Sequence, residues 1–239
     1  MCGRYATTRG VADLSALFDG IDDIGTLSPD YNVAPTDPVP IVRMSERLGG
    51  RALSLARWGL VPAWARDPRQ GARMINARAE TVARSSAFGP SFARRRCLVP
   101  ADGWYEWVKL GVKGRRAYYM TPADGGVLAF AGLWTTWGEG DGRLLTCSIV
   151  TTAALGELAS VHDRMPLALP RSRWAEWLIG PADPASLLAP PPADLLAGIE
   201  IRPVGPAVGD VRNDGPALIE RIDAGPLTPP DEPVDLTLF

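Results

Sequence analysis

The second residue of the chain, Cys2, is where chemistry would start. An aminopeptidase is expected to remove Met1 before so small a residue, leaving a cysteine with an α-amine and a thiol on adjacent carbons. Their ordinary pKa values are about 7.7–8.0 and about 8.5, so each is partly reactive near neutral pH. Amines attack aldehydes to give Schiff bases, and a thiol one carbon away can then close a five-membered thiazolidine ring. On position alone, the favoured reading of Cys2 is a small residue that happens to follow the start.

Two residues after Cys2 comes Arg4, and the same spacing recurs in Asn76-Ala77-Arg78 and His162-Asp163-Arg164. Residues i and i+2 of an extended segment share a face. Each segment would therefore present a polar or reactive group beside a guanidinium, and convergence of the three would suit a phosphate-bearing substrate. Asp102-Gly103-Trp104-Tyr105-Glu106-Trp107 places a carboxylate among three aromatics. Desolvation there raises a carboxyl pKa and makes a general acid/base near pH 7. The other reading is a surface Glu on an aromatic hairpin. By strand parity Glu106 shares a face with Trp104, opposite Tyr105 and Trp107. His162, the single histidine, is a structural residue or a group that titrates near pH 7. Asn76 can orient a partner without charge. Trp64 and Trp107 are candidate stacking platforms for single-stranded nucleic acid, whereas Trp134 and Trp174 read as core.

Charge narrows the partner. The net charge is −2, but residues 43–116 hold 16 Lys+Arg against 5 Asp+Glu, leaving 9 against 22 elsewhere. All basic residues but Lys109 and Lys113 are arginines, which suit bidentate phosphate recognition. The block points to an anionic ligand such as nucleic acid, although GC-rich coding also enriches arginine. Three scattered cysteines argue against a disulfide framework, and Cys97 and Cys147 sit in apolar runs as small core residues. With one histidine and no cysteine pair, neither a metal nor a cofactor is expected. No apolar run approaches a membrane span of about 20 residues, and the N-terminus does not resemble a secretory signal. A cytoplasmic monomer that does not touch a membrane is the expectation.

The elements that must position these groups follow from periodicity. Val11, Leu14, Leu17 and Phe18 carry helical spacing. Strands are predicted at 39–43, 52–60, 97–100, 105–108, 117–120, 127–134 and 144–151, with helices at about 153–160 and 171–179. Residues 31–36 read as irregular, 61–73 as an exposed loop, and 76–88 as extended, turning helical from Ala79. The fold expected is one α+β domain with a curled, largely antiparallel, barrel-like sheet flanked by helices. It spans 1–225, and 226–239 form an acidic, proline-rich tail.

Taken together, Met1-Cys2-Gly3-Arg4-Tyr5, Tyr31-Asn32-Val33-Ala34-Pro35-Thr36, Arg57-Trp58-Gly59-Leu60-Val61-Pro62, Ile75-Asn76-Ala77-Arg78-Ala79-Glu80-Thr81, Arg96-Cys97-Leu98-Val99-Pro100-Ala101-Asp102-Gly103-Trp104-Tyr105-Glu106-Trp107, Ala131-Gly132-Leu133-Trp134 and Val161-His162-Asp163-Arg164-Met165-Pro166 closely resemble, in order, the SOS response-associated peptidase (SRAP) family of abasic-site-processing proteins. The resemblance covers roughly 2–215. It implies binding of abasic sites in single-stranded DNA and a covalent cross-link through Cys2. It also implies proton transfer at the sugar by Asn76 and Glu106, and contact of His162 with the opened deoxyribose. Arg4, Arg78 and Arg164 fall where phosphate contacts are expected. Autoproteolytic loss of Met1 and some β-elimination (lyase) activity are implied as well. With Lys109 and Lys113 the only side-chain amines, the N-terminal amine is the Schiff-base candidate. Two other classes stand beside this reading: an N-terminal-nucleophile hydrolase acting on amides, and a non-catalytic single-strand-binding module in which Cys2 is incidental.

Overall fold

The computed structural model describes residues 2–110, 114–181 and 183–223. The expected losses at Met1 and the acidic tail from 226 lie outside the described residues. In chain order the strands are β1 (Tyr5–Thr7), β2 (Ile21–Asp22), β3 (Asp30–Val33), β4 (Pro38–Ser45), β5 (Gly50–Trp58), β6 (Asn76–Arg78) and β7 (Arg96–Ala101). They continue with β8 (Gly103–Leu110), β9 (Gly114–Pro122), β10 (Leu128–Trp137), β11 (Leu144–Ala153), β12 (Arg164–Pro166) and β13 (Ile199–Val204).

One sheet runs β12-β11-β10-β7-β4-β5-β2, and β11 also pairs with β5, in parallel, at Thr146↔Arg57 and Cys147↔Trp58. That extra pairing closes β5, β4, β7, β10 and β11 into a barrel, as the run of short apolar strands predicts. A second sheet, β13-β9-β8-β1-β3, lies against it. The barrel strands are apolar on both faces because both are covered. Cys97, Val99, Phe130, Cys147 and Ile149 turn into one core with Trp58. Their neighbours Leu98, Ala129, Ala131 and Val150 turn into the other. That outer core is roofed by helices α1 (Val11–Phe18) and α3 (Trp174–Ile179), with Phe18 stacked on Trp174 at 4.5 Å between ring centroids. Cys97 and Cys147 are fully buried, as expected of core residues, and burial pushes both thiols up.

Arg96, a basic residue inside β7, is buried for a structural reason. Its guanidinium donates to the carbonyls of Phe92 (2.7 Å), Ala93 (3.3 Å), Trp177 (2.5 Å) and Gly180. These are the C-terminal ends of helix α2 (Gly89–Arg94) and of α3, where carbonyls have no helical partner and a cation is favoured.

Where the elements depart from expectation, local chemistry explains it. Thr151, Thr152 and Ala153 extend β11 against β12 instead of starting a helix. Only a 3₁₀ turn at Gly156–Ser160 follows, entered through Gly156 at φ +56°. Residues 171–179 are a 3₁₀ turn, Arg171–Arg173, running into α3. Val82–Arg84 is likewise a single 3₁₀ turn. Of the stretch 31–36, read as irregular, Tyr31, Asn32 and Val33 belong to β3 at the edge of the second sheet. Within the 61–73 loop, Val61, Ala65 and Gly71 are buried, and Pro68–Arg73 is a 3₁₀ helix.

Candidate active site

Three pieces of backbone bring the sequence-selected residues together. The first is the barrel-to-sheet crossing at Asp102, between β7 and β8. Its backbone N–H donates to Ala6 O (2.8 Å), and its carboxylate accepts Thr8 N–H (2.5 Å) and Arg9 Nε–H (3.4 Å). β1 is thereby fixed beside β8, with Tyr5 opposite Trp104. Gly103 is required at the crossing, because a Cβ there would meet Met120 O at 2.4 Å and the Tyr119 ring at 2.5 Å. Tyr5 then reaches the barrel core, edge-on to Trp58 at 5.2 Å and to Phe130 at 6.4 Å. Cys2, three residues earlier, is held in that same core.

The second piece delivers Asn76. Gly59, at φ +126°, crosses Gly71 so closely that a Cβ on either would lie 2.4–2.5 Å from the other's carbonyl oxygen. Leu60 N–H then donates to Met74 O (3.1 Å), and Trp58 Nε1–H to Ile75 O (3.0 Å). The loop therefore returns to its own base and enters β6 alongside β11, with Asn76 opposite Ile149. Asn76 Nδ2 donates to the carbonyl of Cys2 at 2.7 Å, whereas its Oδ1 is buried with no partner among the described residues. The third piece is the turn into β12. There His162 Nδ1 accepts the Arg164 backbone N–H at 2.9 Å.

These contacts set the site's electrostatics. Trp104 packs in the core that holds Cys2, and Tyr105 and Trp107 lie in a separate cluster, so the parity read for this strand is the observed one. Glu106, only 4 % exposed, has its carboxyl pKa raised to about 7, chiefly because burial penalises the charged form. Burial also pushes the Cys2 thiol well up, and the negative charge of Glu106 adds to that. The resting thiol is therefore protonated, with a carboxyl group close enough to act on it. His162 Nε2 stands 4.0 Å from Glu106 Oε2. Desolvation lowers the His162 pKa, so the ring is neutral at pH 7. Asp163 Oδ1 also lies 2.8 Å from Nδ1, which would call for a proton on that nitrogen. The Asp163 side chain is largely exposed and free to swing away, whereas the Arg164 N–H is fixed backbone. The neutral ring accordingly accepts at Nδ1 and carries its proton on Nε2, facing Glu106.

The arginines divide. Arg4 donates to Asn32 Oδ1 (2.8 Å) and Val208 O (3.0 Å) and lies 5.9 Å over the partly buried Trp107 ring. Arg164 makes a two-pronged pair with Glu80 (2.5 and 3.0 Å) and donates to Thr151 O (2.6 Å). Arg78, opposite Thr151 on β6, is exposed. Trp64 is 58 % exposed. Neither Asn32 nor Glu80 was singled out from the sequence as a group that holds a site arginine. The motifs around them carried the signal, since each lies inside a segment quoted above.

The structure thus places a buried cysteine, its carbonyl held by the Asn76 amide, within the influence of a buried carboxyl group that has a neutral imidazole 4.0 Å away. The sequence profile of the SOS response associated peptidase (SRAP) family matches residues 1–211, and the chain belongs to that family. Among its relatives, Abasic site processing protein YoqW of Bacillus subtilis is 36 % identical over 92 % of this chain and 99 % of its own length. Abasic site processing protein YedK of Escherichia coli is 34 % identical over 93 % and 100 %. Abasic site processing protein HMCES of Gallus gallus is 29 % identical over 94 % and 79 %. The crystal structure of a protein from Bacteroides thetaiotaomicron shares the fold, with a TM-score of 0.79 at 23 % identity over 92 % of this chain and all of the other. Among the described residues no helix is long and apolar enough to cross a membrane.

Proposed function

We propose that this protein processes abasic sites in DNA, and that it does so by covalent capture through Cys2. The observation that carries the reading is Cys2 with its carbonyl on Asn76 and its thiol under the influence of Glu106, whose pKa is about 7. Family membership and the names of the relatives support the choice of abasic DNA as substrate.

The chemistry balances as a condensation. An abasic sugar exists partly as a ring-opened aldehyde. Once Met1 is gone, the α-amine of Cys2 adds to the aldehyde carbon and water leaves, giving an imine. Glu106, half-protonated near neutral pH, supplies the proton that sugar O4′ needs on ring opening. The thiol then adds to the imine carbon, and its proton passes to nitrogen as the C–S bond closes the thiazolidine. The net change is aldehyde plus aminothiol giving ring plus water. Asn76 holds the Cys2 carbonyl, and its Oδ1, without a partner among the described residues, offers an acceptor to a sugar hydroxyl. His162, with its proton on Nε2 4.0 Å from Glu106, is a donor for opening or reversal. An uncaptured imine would be open to β-elimination, which gives the lyase side-reaction. Recognition of a missing base reads no base edge, so sequence preference is slight. Trp64 and Arg78 supply the exposed stacking and phosphate contacts on a single strand, with the protein acting as a monomer.

Intact-protein mass spectrometry, before and after incubation with a single-stranded oligonucleotide bearing one abasic site, tests this. Loss of Met1 is expected, followed by a gain of the oligonucleotide mass less one water that Cys2→Ala abolishes. Processed protein that gains no such mass would transfer the site to an amide hydrolase or a passive binder.

A further inference from the structure

The barrel carries a second basic feature, on the opposite end from Cys2. The strand ends Arg43–Ser45 of β4, Trp134 and Thr136 of β10, and Leu145 of β11, with the turn after β4 and the end of α2, enclose a cleft of about 800 Å³. Five arginines line it: Arg43, Arg47, Arg94, Arg95 and Arg143. Trp134, expected to be core, is only partly buried. Arg43 and Arg95 lie over its ring at 5.0 and 5.8 Å.

The cleft is separate from the site of Cys2. Along β11, Leu145 lines the cleft, whereas Ile149 and Thr151 pair with Asn76 and Arg78. At about 3.3 Å per residue those positions are roughly 13–20 Å apart. Among the described residues, carboxylates do not balance the guanidiniums: Glu46 lines the cleft and Asp23 reaches Arg47 (2.6 Å) and Arg43 (3.7 Å), so five positive groups face two described negative ones. Arg43 is half-buried, and burial lowers its pKa; Asp23 supports its charge, while Arg47 and, more weakly, Arg143 oppose it. Like charges held together this way are relieved by an anion. Guanidiniums already occupy the neighbourhood of the Trp134 ring, which favours phosphate over a stacked base as the ligand.

We propose that this cleft binds backbone phosphates of DNA outside the stretch engaged by Cys2. The cleft then holds the flanking strand on the far end of the barrel. The choice of DNA rests on the function proposed above; the anion site itself rests on the arginines.

Arg94 and Arg143 are exposed, so Arg94→Ala/Arg143→Ala leaves the fold intact, and an unchanged melting temperature verifies that. Fluorescence anisotropy would compare undamaged oligonucleotides of about 4–5 and about 16 nucleotides, the range of single-strand site sizes. The variant is expected to bind the long strand about tenfold more weakly at 0.15 M salt. Its salt slope should be smaller by about 1.4, for two lost phosphate contacts. Binding of the short strand and the rate of adduct formation on a short abasic strand should be unchanged. Arg94→Lys/Arg143→Lys should restore most of the affinity. Identical affinity and slope for the long strand would overturn the proposal. So would a loss confined to poly-glutamate, which would assign the cleft to an acidic protein. If neither protein forms an adduct, the reading of Cys2 falls, and the anisotropy still decides this cleft.

Discussion

Glu106 is a carboxylic acid that the fold keeps from ionising at its ordinary pH. With its pKa near 7, it is present as acid and base in similar amounts at neutral pH, as a group that moves a proton in both directions must be. The rate of adduct formation is therefore expected to show an inflection near pH 7 that Glu106→Gln removes, together with about 10²–10⁴-fold of rate. DNA affinity should survive, and a variant that loses affinity but cross-links normally once saturated would remove Glu106 from the chemistry. Stability follows from the same shift. The native state holds the Glu106 proton more tightly than the unfolded chain does, so this group's contribution is complete below about pH 4.5. It is lost as pH rises through about 7. Glu106→Gln should consequently stabilise the protein at pH 8, on the order of 1–3 kcal/mol, and hardly at pH 4. A melting temperature that does not rise at pH 8 would contradict the burial argument. At this scale the sequence was informative about which polar groups gather around Cys2 and less so about the arginines. Cys2 and Glu106 were picked out by their chemistry, and Asn76 and His162 by the family motifs they lie in. A guanidinium serves protein and phosphate alike, and only contacts reveal that Arg4 and Arg164 already hold Asn32, Val208 and Glu80.

Elements place those groups, and the least tolerant of them is a glycine pair. Gly59 and Gly71 meet with no room for a Cβ, and Gly59 also sits in backbone space that favours glycine. Gly71→Ala should cost about 1–3 kcal/mol through overpacking. It should also shift β6, so that cross-linking slows more than binding weakens, because Asn76 loses its hold on the Cys2 carbonyl. A variant that melts lower yet cross-links at the wild-type rate would show that the loop does not position Asn76. Alternation and apolar runs made the barrel strands legible, as with Cys97, Val99 and their outward neighbour Leu98. Short strands escaped. β3, β12 and β13 carry Asn32, Pro166 and Pro203, whose intrinsic preferences oppose strand; β12 and β13 form on the free edges of the longer β11 and β9, and β3 on the edge of β1. No periodicity announces the closure of the barrel, since the pairing of Cys147 with Trp58 joins residues 89 positions apart.

At the scale of the molecule, the net charge of −2 conceals a basic block in residues 43–116, which supplies Arg78 to one place and four of the five cleft arginines, all but Arg143, to another. Arg78 and the exposed Trp64 belong to the side of β6 and the 61–73 loop, and the five-arginine cleft to the other end of the barrel. A strand gripped at one end alone would contact few phosphates, and its affinity would fall gently with salt. One gripped at both ends would release about twice as many counterions. For three to five phosphates in all, log affinity against log salt is expected to fall with a slope of about −2 to −3.5, at about 0.7 per phosphate. Trp64→Ala separates stacking from charge. It should lower affinity by about 1–3 kcal/mol while leaving that slope and the melting temperature unchanged, because an exposed ring contributes base contact and little packing. If the Trp64→Ala slope flattens instead, the ring acts by placing neighbouring arginines. Arg66 and Arg73, exposed on the same loop, would then join the phosphate contacts.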